Sequence, residues 1–167
     1  MNLLCAFPVK RSIRDLGSVR AALDRLKMGR VVGIFPEGGI RAGPSSLLEG
    51  APIWTGFAGL SLLSGRPVVP CVIIGTDRLY RPANWLPFRW VPVWLAFGEP
   101  FYPRTDLPRE QARALLVSEV ERSLVGLKDE LVQHFALDPI DLPQTPQYRK
   151  REDFLPPKRR SAVQNGK

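Results

Sequence analysis

Proline is the feature that most limits what this chain can fold into. The 167 residues include 17 prolines, about twice the roughly 5% found in average proteins. Proline in a helix interior removes a backbone hydrogen bond and clashes with the preceding turn. Because the prolines are spread along the whole chain, they exclude a simple helical bundle or coiled coil, and short elements separated by loops are expected.

Helical patterns alternate with short apolar runs along most of the chain. Val19, Leu23 and Leu26 have helical spacing, with Ser18 as candidate N-cap and Gly29 after the end. Strands are expected at residues 31–35, 68–74 and 93–97, a buried helix at 52–64, and the longest helix from 108 to about 137. Pro70 favours an edge position or a bulge in the second strand. The alternation predicts an α/β fold, a mixed sheet flanked by helices.

Composition changes after Asp138, where the pattern gives way to proline, glutamine and charge. We therefore predict an α/β domain over residues 1–138 and a proline-rich, basic, disordered tail over 139–167. The net charge of +8 is concentrated in two places. Residues 146–167 carry seven basic and two acidic groups, and residues 1–41 carry eight and three. This charge favours an anionic partner: nucleic acid, an acidic membrane surface or a phosphorylated substrate.

Several classes of site and sorting signal are absent from the pattern. The two cysteines have no C-x-x-C spacing and the chain has one histidine, so neither a disulfide framework nor a metal site is expected. The apolar start lacks a signal-peptide pattern, and no run is long enough for a spanning helix. We expect a soluble or peripheral protein in a reducing compartment.

A glycine-rich turn at residues 35–43 is the segment most suited to chemistry. It reads Phe-Pro-Glu-Gly-Gly-Ile-Arg-Ala-Gly and places Glu37 and Arg41 after an expected strand. Glycines allow backbone amides to approach an anion, and an arginine can bind a phosphate through two hydrogen bonds. The alternative is a tight turn with a surface ion pair. Asp77 and Arg78 follow another expected strand and either border this site or form a surface turn.

Three short blocks in order resemble a known family. They are Phe7-Pro8-Val9-Lys10-Arg11, the F-P-E-G of residues 35–38 followed by Arg41, and Pro67-Val68-Val69-Pro70 with Ile74-Gly75-Thr76. Together they resemble the second, third and fourth blocks of the phospholipid/glycerol acyltransferase family, which includes the lysophosphatidic acid acyltransferases. The resemblance extends over roughly residues 6–103 and implies a glycerol-phosphate acyltransferase type of α/β fold.

The resemblance also implies an activity. In this family an acceptor hydroxyl attacks the thioester of acyl-CoA or acyl carrier protein, which serves as co-substrate, and no cofactor or metal is implied. The matched positions assign acceptor-phosphate binding to Arg11 and Arg41, with Lys10 as a helper. Glu37 and Gly38 would shape the acceptor site, and Pro70 would support the acyl-donor side.

The chain departs from the family at the general base. The family's H-x4-D motif should precede the second block, and this sequence starts at that block. The single histidine, His134, stands four positions before Asp138, which gives H-x3-D, and we interpret it as a residue near a helix end. No catalytic residue is assigned. We expect an N-terminally incomplete acyltransferase or, alternatively, a non-catalytic phosphate- or lipid-binding relative.

The expected partners follow from the charge and the aromatic residues. The basic tail suits an anionic membrane surface or simply solvent, and nucleic acid is not expected because no binding motif is present. Trp90 and Trp94, together with Trp85 and Phe88, form an aromatic group that either faces a membrane or caps the core. Arg81 and Arg89 lie among these residues. The predicted location is cytoplasmic, peripheral on the inner face of the cell membrane, with a phosphorylated glycerolipid as acceptor.

Overall fold

The structure, a computed structural model, describes residues 15–38, 41–80 and 90–144. Its helices are α1 (Leu16–Lys27), α2 (Gly56–Ser64) and α3 (Arg109–Phe135), and its strands are β1 (Cys71–Ile74) and β2 (Trp94–Phe97). Short 3-10 turns occur at Gly43–Ser45, Leu47–Glu49 and Thr76–Tyr80. This mixture of helices with a small antiparallel sheet is compatible with the predicted α/β class.

The chain divides into two compact units, and α1 belongs to the first, whose segments are Met1–Pro36, Trp54–Val68 and Pro100–Glu119. The predicted helix is confirmed, but its N-cap is Asp15, whose side chain accepts a 3.1 Å hydrogen bond from the amide of Ser18. Ser18 was therefore the wrong cap, because its hydroxyl donates back to the Asp15 carbonyl. Gly29 has φ +72, the left-handed conformation that commonly ends a helix.

Helix α2 packs against α1 in the same unit. It buries Phe57 and Ala58 and ends at Gly65, whose φ is +67. Ser61 ties this end down by donating a 2.6 Å hydrogen bond to the carbonyl of Arg66. The predicted helix is confirmed with a later start, because residues 51–54 before it have no regular secondary structure.

The strand predicted at residues 31–35 is wrong. These residues lie outside any sheet, and the side chains of Val31 and Phe35 are 94% and 78% exposed. Within the described residues, a backbone hydrogen bond directly after this segment runs from the amide of Trp54 to the carbonyl of Pro36, and Trp54 does not belong to a strand. An apolar run forms a strand when a neighbouring strand satisfies its amides and carbonyls, and the described part of this unit places none beside it.

The second unit, Glu37–Ile53, Val69–Glu99 and Val120–Lys167, contains the sheet. Strands β1 and β2 pair antiparallel with Cys71 opposite Phe97 and Ile74 opposite Trp94. Both predicted strands are confirmed in shortened form. Pro70 comes directly before β1, where its carbonyl accepts a 2.9 Å bond from Gly98, so it avoids the ladder position in which its missing N–H would matter.

The long helix α3 is confirmed close to its predicted limits. Its buried face repeats at helical spacing through Val120, Leu124, Leu127 and Leu131, as the sequence pattern predicts. Each such side chain, fully buried, contributes roughly 1.5–3 kcal/mol of transfer free energy. This stripe supplies much of the apolar core of the second unit.

A buried ion pair joins the 3-10 turn after β1 to the segment after α3. The guanidinium of Arg78 donates a 2.6 Å hydrogen bond to Asp141, both side chains are fully buried, and Arg78 lies 5.2 Å from the ring centroid of Trp94. Asp77 is also buried and accepts from the amide of Gln144 at 3.2 Å. The surface-turn interpretation of Asp77 and Arg78 is therefore wrong, and the folded part of the chain reaches at least Gln144.

Candidate functional site

Glu37 holds the glycine-rich loop closed. Its Oε1 accepts a 2.6 Å hydrogen bond from the amide of Leu47 and a 2.9 Å bond from the hydroxyl of Ser46. A carboxylate at this position satisfies an amide at the start of the Leu47–Glu49 turn, which would otherwise lack a partner. The carboxylate therefore shapes the loop from within it.

Arg41 projects from the loop that Glu37 closes. Gly38 has φ +69, which lets the chain turn immediately after Glu37. The Nε of Arg41 donates to the backbone carbonyl of Glu37 at 3.4 Å, and the side chain is exposed. The contact is with the carbonyl and not the carboxylate, so a surface ion pair between Glu37 and Arg41 is not what this turn forms. The guanidinium of Arg41 faces solvent, where an anion can reach it.

Ser46 and Lys128 fix the far side of the loop. Ser46 is buried and its hydroxyl oxygen accepts a 3.2 Å bond from the amide of Leu48. Lys128, from α3, donates to the carbonyl of Leu48 at 3.4 Å and lies 3.9 Å from Glu49. The loop is thus held at one end by Glu37 and at the other by a cation from the long helix.

A groove of about 440 Å³ opens beside the loop, within the second unit. Its wall is largely apolar, with Glu121 and Arg122 contributing charge; the other lining residues are Leu47, Gly50, Ala51, Pro52 and Val125. Small-molecule pockets commonly fall between about 300 and 1,000 Å³. The groove is open to solvent, and its wall combines apolar surface with two charged side chains.

Pro70 and Gly98 meet at the base of the sheet. Pro70 is buried, and a Cβ added to Gly98 would lie 2.8 Å from the hydroxyl of Ser123 and 3.7 Å from the Pro70 ring. A larger residue here would require the side chain of Ser123 to move. The structure thus gives Pro70 a packing environment, and its role toward the acyl donor stays a prediction.

Several of the predicted residues lie outside the described part of the chain. These are Lys10, Arg11, Trp85, Phe88, Arg81 and Arg89. Of the remaining aromatic group, Trp90 is 88% exposed, whereas Trp94 is buried. The structure therefore brings together Glu37, Gly38 and Arg41 but does not test their pairing with Lys10 or Arg11.

His134 lies in the last turn of α3, as predicted. Its ring packs edge-on against Phe135 at 4.7 Å, and its side chain is exposed. It is not part of the Glu37 loop. Throughout residues 15–38, 41–80 and 90–144, His134, Cys71 and the carboxylates form no group able to hold a metal ion.

Two contributors to the site were missed in the sequence. Ser46-Leu47-Leu48-Glu49 has the S-x-x-E spacing of a helix start, which signals the turn that Glu37 caps. Lys128 carries no such signal, because it lies on α3 far along the chain and its approach to Leu48 depends on tertiary packing.

The helices of the described part of the chain include none with the length and apolar character needed to cross a bilayer.

Comparison with known proteins gives an acyltransferase family model that matches residues 1–74. The chain is also 25% identical over 133 residues to the 1-acyl-sn-glycerol-3-phosphate acyltransferase of Bacillus subtilis (strain 168), a match covering 77% of this chain. The chain spans 60% of that relative's length. No solved structure matches. Both matches support the acyltransferase family that the three sequence blocks predict.

Proposed function

We propose that this chain transfers a fatty acyl group from acyl-CoA or acyl carrier protein to a lysophosphatidate- or glycerol-phosphate-type acceptor in phospholipid biosynthesis. The observation that carries the proposal is the Glu37-anchored loop, which exposes Arg41 to solvent. The name of the Bacillus subtilis relative supports the choice of acceptor. The apolar groove beside the loop supports an amphiphilic ligand.

The proposed chemistry is displacement at a thioester. The acceptor hydroxyl oxygen bonds to the thioester carbonyl carbon, the carbon–sulfur bond breaks, and the hydroxyl proton ends on the departing thiolate. The printed sequence has no H-x4-D motif to act as the base for this proton transfer. Arg41, with Arg11 and Lys10, would hold the acceptor phosphate and so orient its hydroxyl. Fixing the acceptor in this way lowers the entropic part of the barrier. The contribution proposed for these residues is therefore to bind the acceptor and orient its hydroxyl.

A second candidate is a non-catalytic phosphate- or lipid-binding protein of the same family. The observation that favours it is the position of the single histidine, exposed at the end of α3 and with H-x3-D spacing. In this case the loop and Arg41 bind a phosphorylated glycerolipid without acyl transfer. For both candidates we propose a cytoplasmic protein, peripheral on the inner face of the cell membrane and in contact with anionic lipid.

The test measures phosphate binding and acyl transfer separately. Glycerol 3-phosphate binding is measured by calorimetry, and transfer from acyl-CoA or acyl carrier protein to lysophosphatidate is measured with a labelled acyl chain. Replacing Arg41 by Ala should weaken phosphate binding by about 10- to 100-fold, the equivalent of losing a charged hydrogen bond. Arg66→Ala, an exposed arginine after α2, is the matched control and should bind normally.

The outcomes separate the two candidates. Binding together with transfer supports the acyltransferase, and binding without transfer supports the non-catalytic relative. Equal binding by the parent and Arg41→Ala would remove the basis of both.

A further inference from the structure

The segment after α3 is tied to the turn that follows β1. Asp141 accepts the 2.6 Å hydrogen bond from Arg78, and both side chains are fully buried. The amide of Gln144 donates to the carboxylate of Asp77 at 3.2 Å. We call residues 138–144 the strap; the strap and the turn both belong to the second unit. Two polar contacts to one turn therefore fix where the strap lies.

The strap borders the loop that carries Arg41. Leu142 and Pro143 of the strap line a small cavity of about 20 Å³. Ala42 and Gly43, which directly follow Arg41, line the same cavity. A cavity of this volume has room for about one water molecule, so the two segments lie close to each other. Because closely packed segments transmit displacement, a shift of the strap would move the residues next to Arg41.

The hydrogen bonds beside Arg41 fix the local shape of the loop. The amide of Ser46 donates to the carbonyl of Gly43 at 2.8 Å, which is a bond within the loop. Such a bond does not set the position of the loop against the rest of the second unit. Outside residues 35–49, the described part of the cavity wall comes from Lys128 of α3 and from the strap. These two neighbours therefore set that position.

We propose that Arg78 is a positioning residue for Arg41. Its bond to Asp141 holds the strap against the loop, and the strap sets the direction in which the Arg41 guanidinium points. This role rests on the proposed function, because it takes an acceptor phosphate as the ligand of Arg41. Arg78 acts without touching that ligand, since its own side chain is fully buried.

The direction of Arg41 matters because a guanidinium binds phosphate through directed hydrogen bonds. A displacement of about 1 Å, caused by a change far from the ligand, can cost a site up to roughly 100-fold in efficiency. A buried pair that only stabilised the fold would instead lower the amount of folded protein. It would leave the affinity of the folded protein unchanged, so the two roles predict different binding data.

The experiment is calorimetric binding of glycerol 3-phosphate to the full chain, under conditions in which circular dichroism shows each variant to be folded. The double variant Arg78→Met, Asp141→Leu removes the pair without leaving a buried charge unpaired. It should weaken binding by about tenfold, the lower end of the loss expected for Arg41→Ala. Leu116→Ala is the matched control, because it destabilises the protein from the core of the first unit. It should bind as the parent does.

A second background shows whether the pair acts through Arg41. In Arg41→Ala, changing Arg78 and Asp141 as well should cause less than about a twofold further loss, because the group that the pair positions is already gone. Losses that multiply in the combined variant would overturn the proposal. Leu142→Ala alters the strap without touching the pair, and it should weaken binding in the same direction.

Hydrogen exchange gives a readout that needs no ligand. The amide of Ser46, which is bonded to the carbonyl of Gly43, reports on the loop next to Arg41. Its exchange, measured relative to the amides of α3 in the same sample, should be faster in the double variant than in the parent. Leu116→Ala should leave this ratio unchanged, because it loosens the protein elsewhere.

The outcomes separate this role from the proposed function. Unchanged affinity in the folded double variant would overturn the proposal, as would an unchanged exchange ratio at Ser46. A parent that fails to bind glycerol 3-phosphate would count against the proposed function. If the double variant still speeds exchange at Ser46 in that case, the positioning of the loop by Arg78 and the strap is supported.

Discussion

The carboxylate of Glu37 accepts a 2.6 Å hydrogen bond from the amide of Leu47, ten positions further along the chain. This bond closes the loop from which Arg41 projects. The acidic residue of the F-P-E-G motif is therefore a positioning residue in this structure, and the exposed arginine is the group left to meet a ligand.

Removing either partner of this closure should loosen the loop. Glu37→Ala or Ser46→Ala should lower the free energy of unfolding by about 1–2 kcal/mol and speed hydrogen exchange at the amide of Leu47. Ser45→Ala is the control, because the Ser45 hydroxyl bonds to the Ala42 carbonyl in an exposed position. Equal effects of the Ser45 and Ser46 variants on Leu47 exchange would contradict the assignment.

The buried pair of Arg78 and Asp141 should be sensitive to loss of one member. Arg78→Met or Asp141→Leu leaves a buried charge without its opposite, which costs about 3–5 kcal/mol of unfolding free energy. The double variant, Arg78→Met with Asp141→Leu, should be destabilised by less than the sum of the two. Urea denaturation measures all three. Additive effects would mean that the two side chains act independently.

Glycine at position 75 is required by the structure. Its φ is +99, and an added Cβ would collide with the carbonyl of Pro92. Gly75→Ala should therefore destabilise the protein by more than about 1 kcal/mol. Gly59→Ala in α2 is the contrasting change, because its Cβ meets nothing within 4 Å, and it should stabilise by about 0.5–1 kcal/mol. Thermal unfolding of both variants compares them directly. A Gly75→Ala variant as stable as the parent protein would contradict the predicted collision with Pro92.

The pKa of Asp106 should be low. The hydrogen bonds from Arg104 lower the pKa of this exposed carboxyl from 3.8 to about 2. Because the folded value is depressed, the pair's stabilising contribution is present above the ordinary pKa and is lost as pH falls from about 4 to about 2. Carbon-detected NMR titration measures it. Arg104→Gln should return the pKa toward its ordinary range, and an unchanged titration curve would exclude Arg104 as the cause.

The helices were predictable from the sequence because their signals are local. The leucine stripe of α3 and the glycines after α1 and α2 depend only on helical spacing and on a left-handed residue at the end. The cap of α1 was misplaced because Asp15 and Ser18 both suit a helix start and their mutual hydrogen bonds decide between them. Such a choice needs the geometry.

Non-local contacts explain most of the errors. An apolar run such as residues 31–35 has strand propensity, but pairing needs a neighbouring strand. Arg78 looked like a surface residue because its partner lies 63 positions away. In the candidate site, the sequence identified Glu37, Gly38 and Arg41, while Lys128 required the packing of α3 against the loop.

The Arg78–Asp141 pair also has a consequence for synthesis of the chain. At about 5–20 residues per second, Asp141 is made roughly 3–13 s after Arg78, because the two stand 63 positions apart. During that interval the guanidinium lacks the carboxylate beside which it is finally buried, so the turn Thr76–Tyr80 cannot take its native packing. The second unit can therefore complete its folding only after the segment beyond α3 has left the ribosome. A chain shortened before Asp141 should remain in the unfinished state.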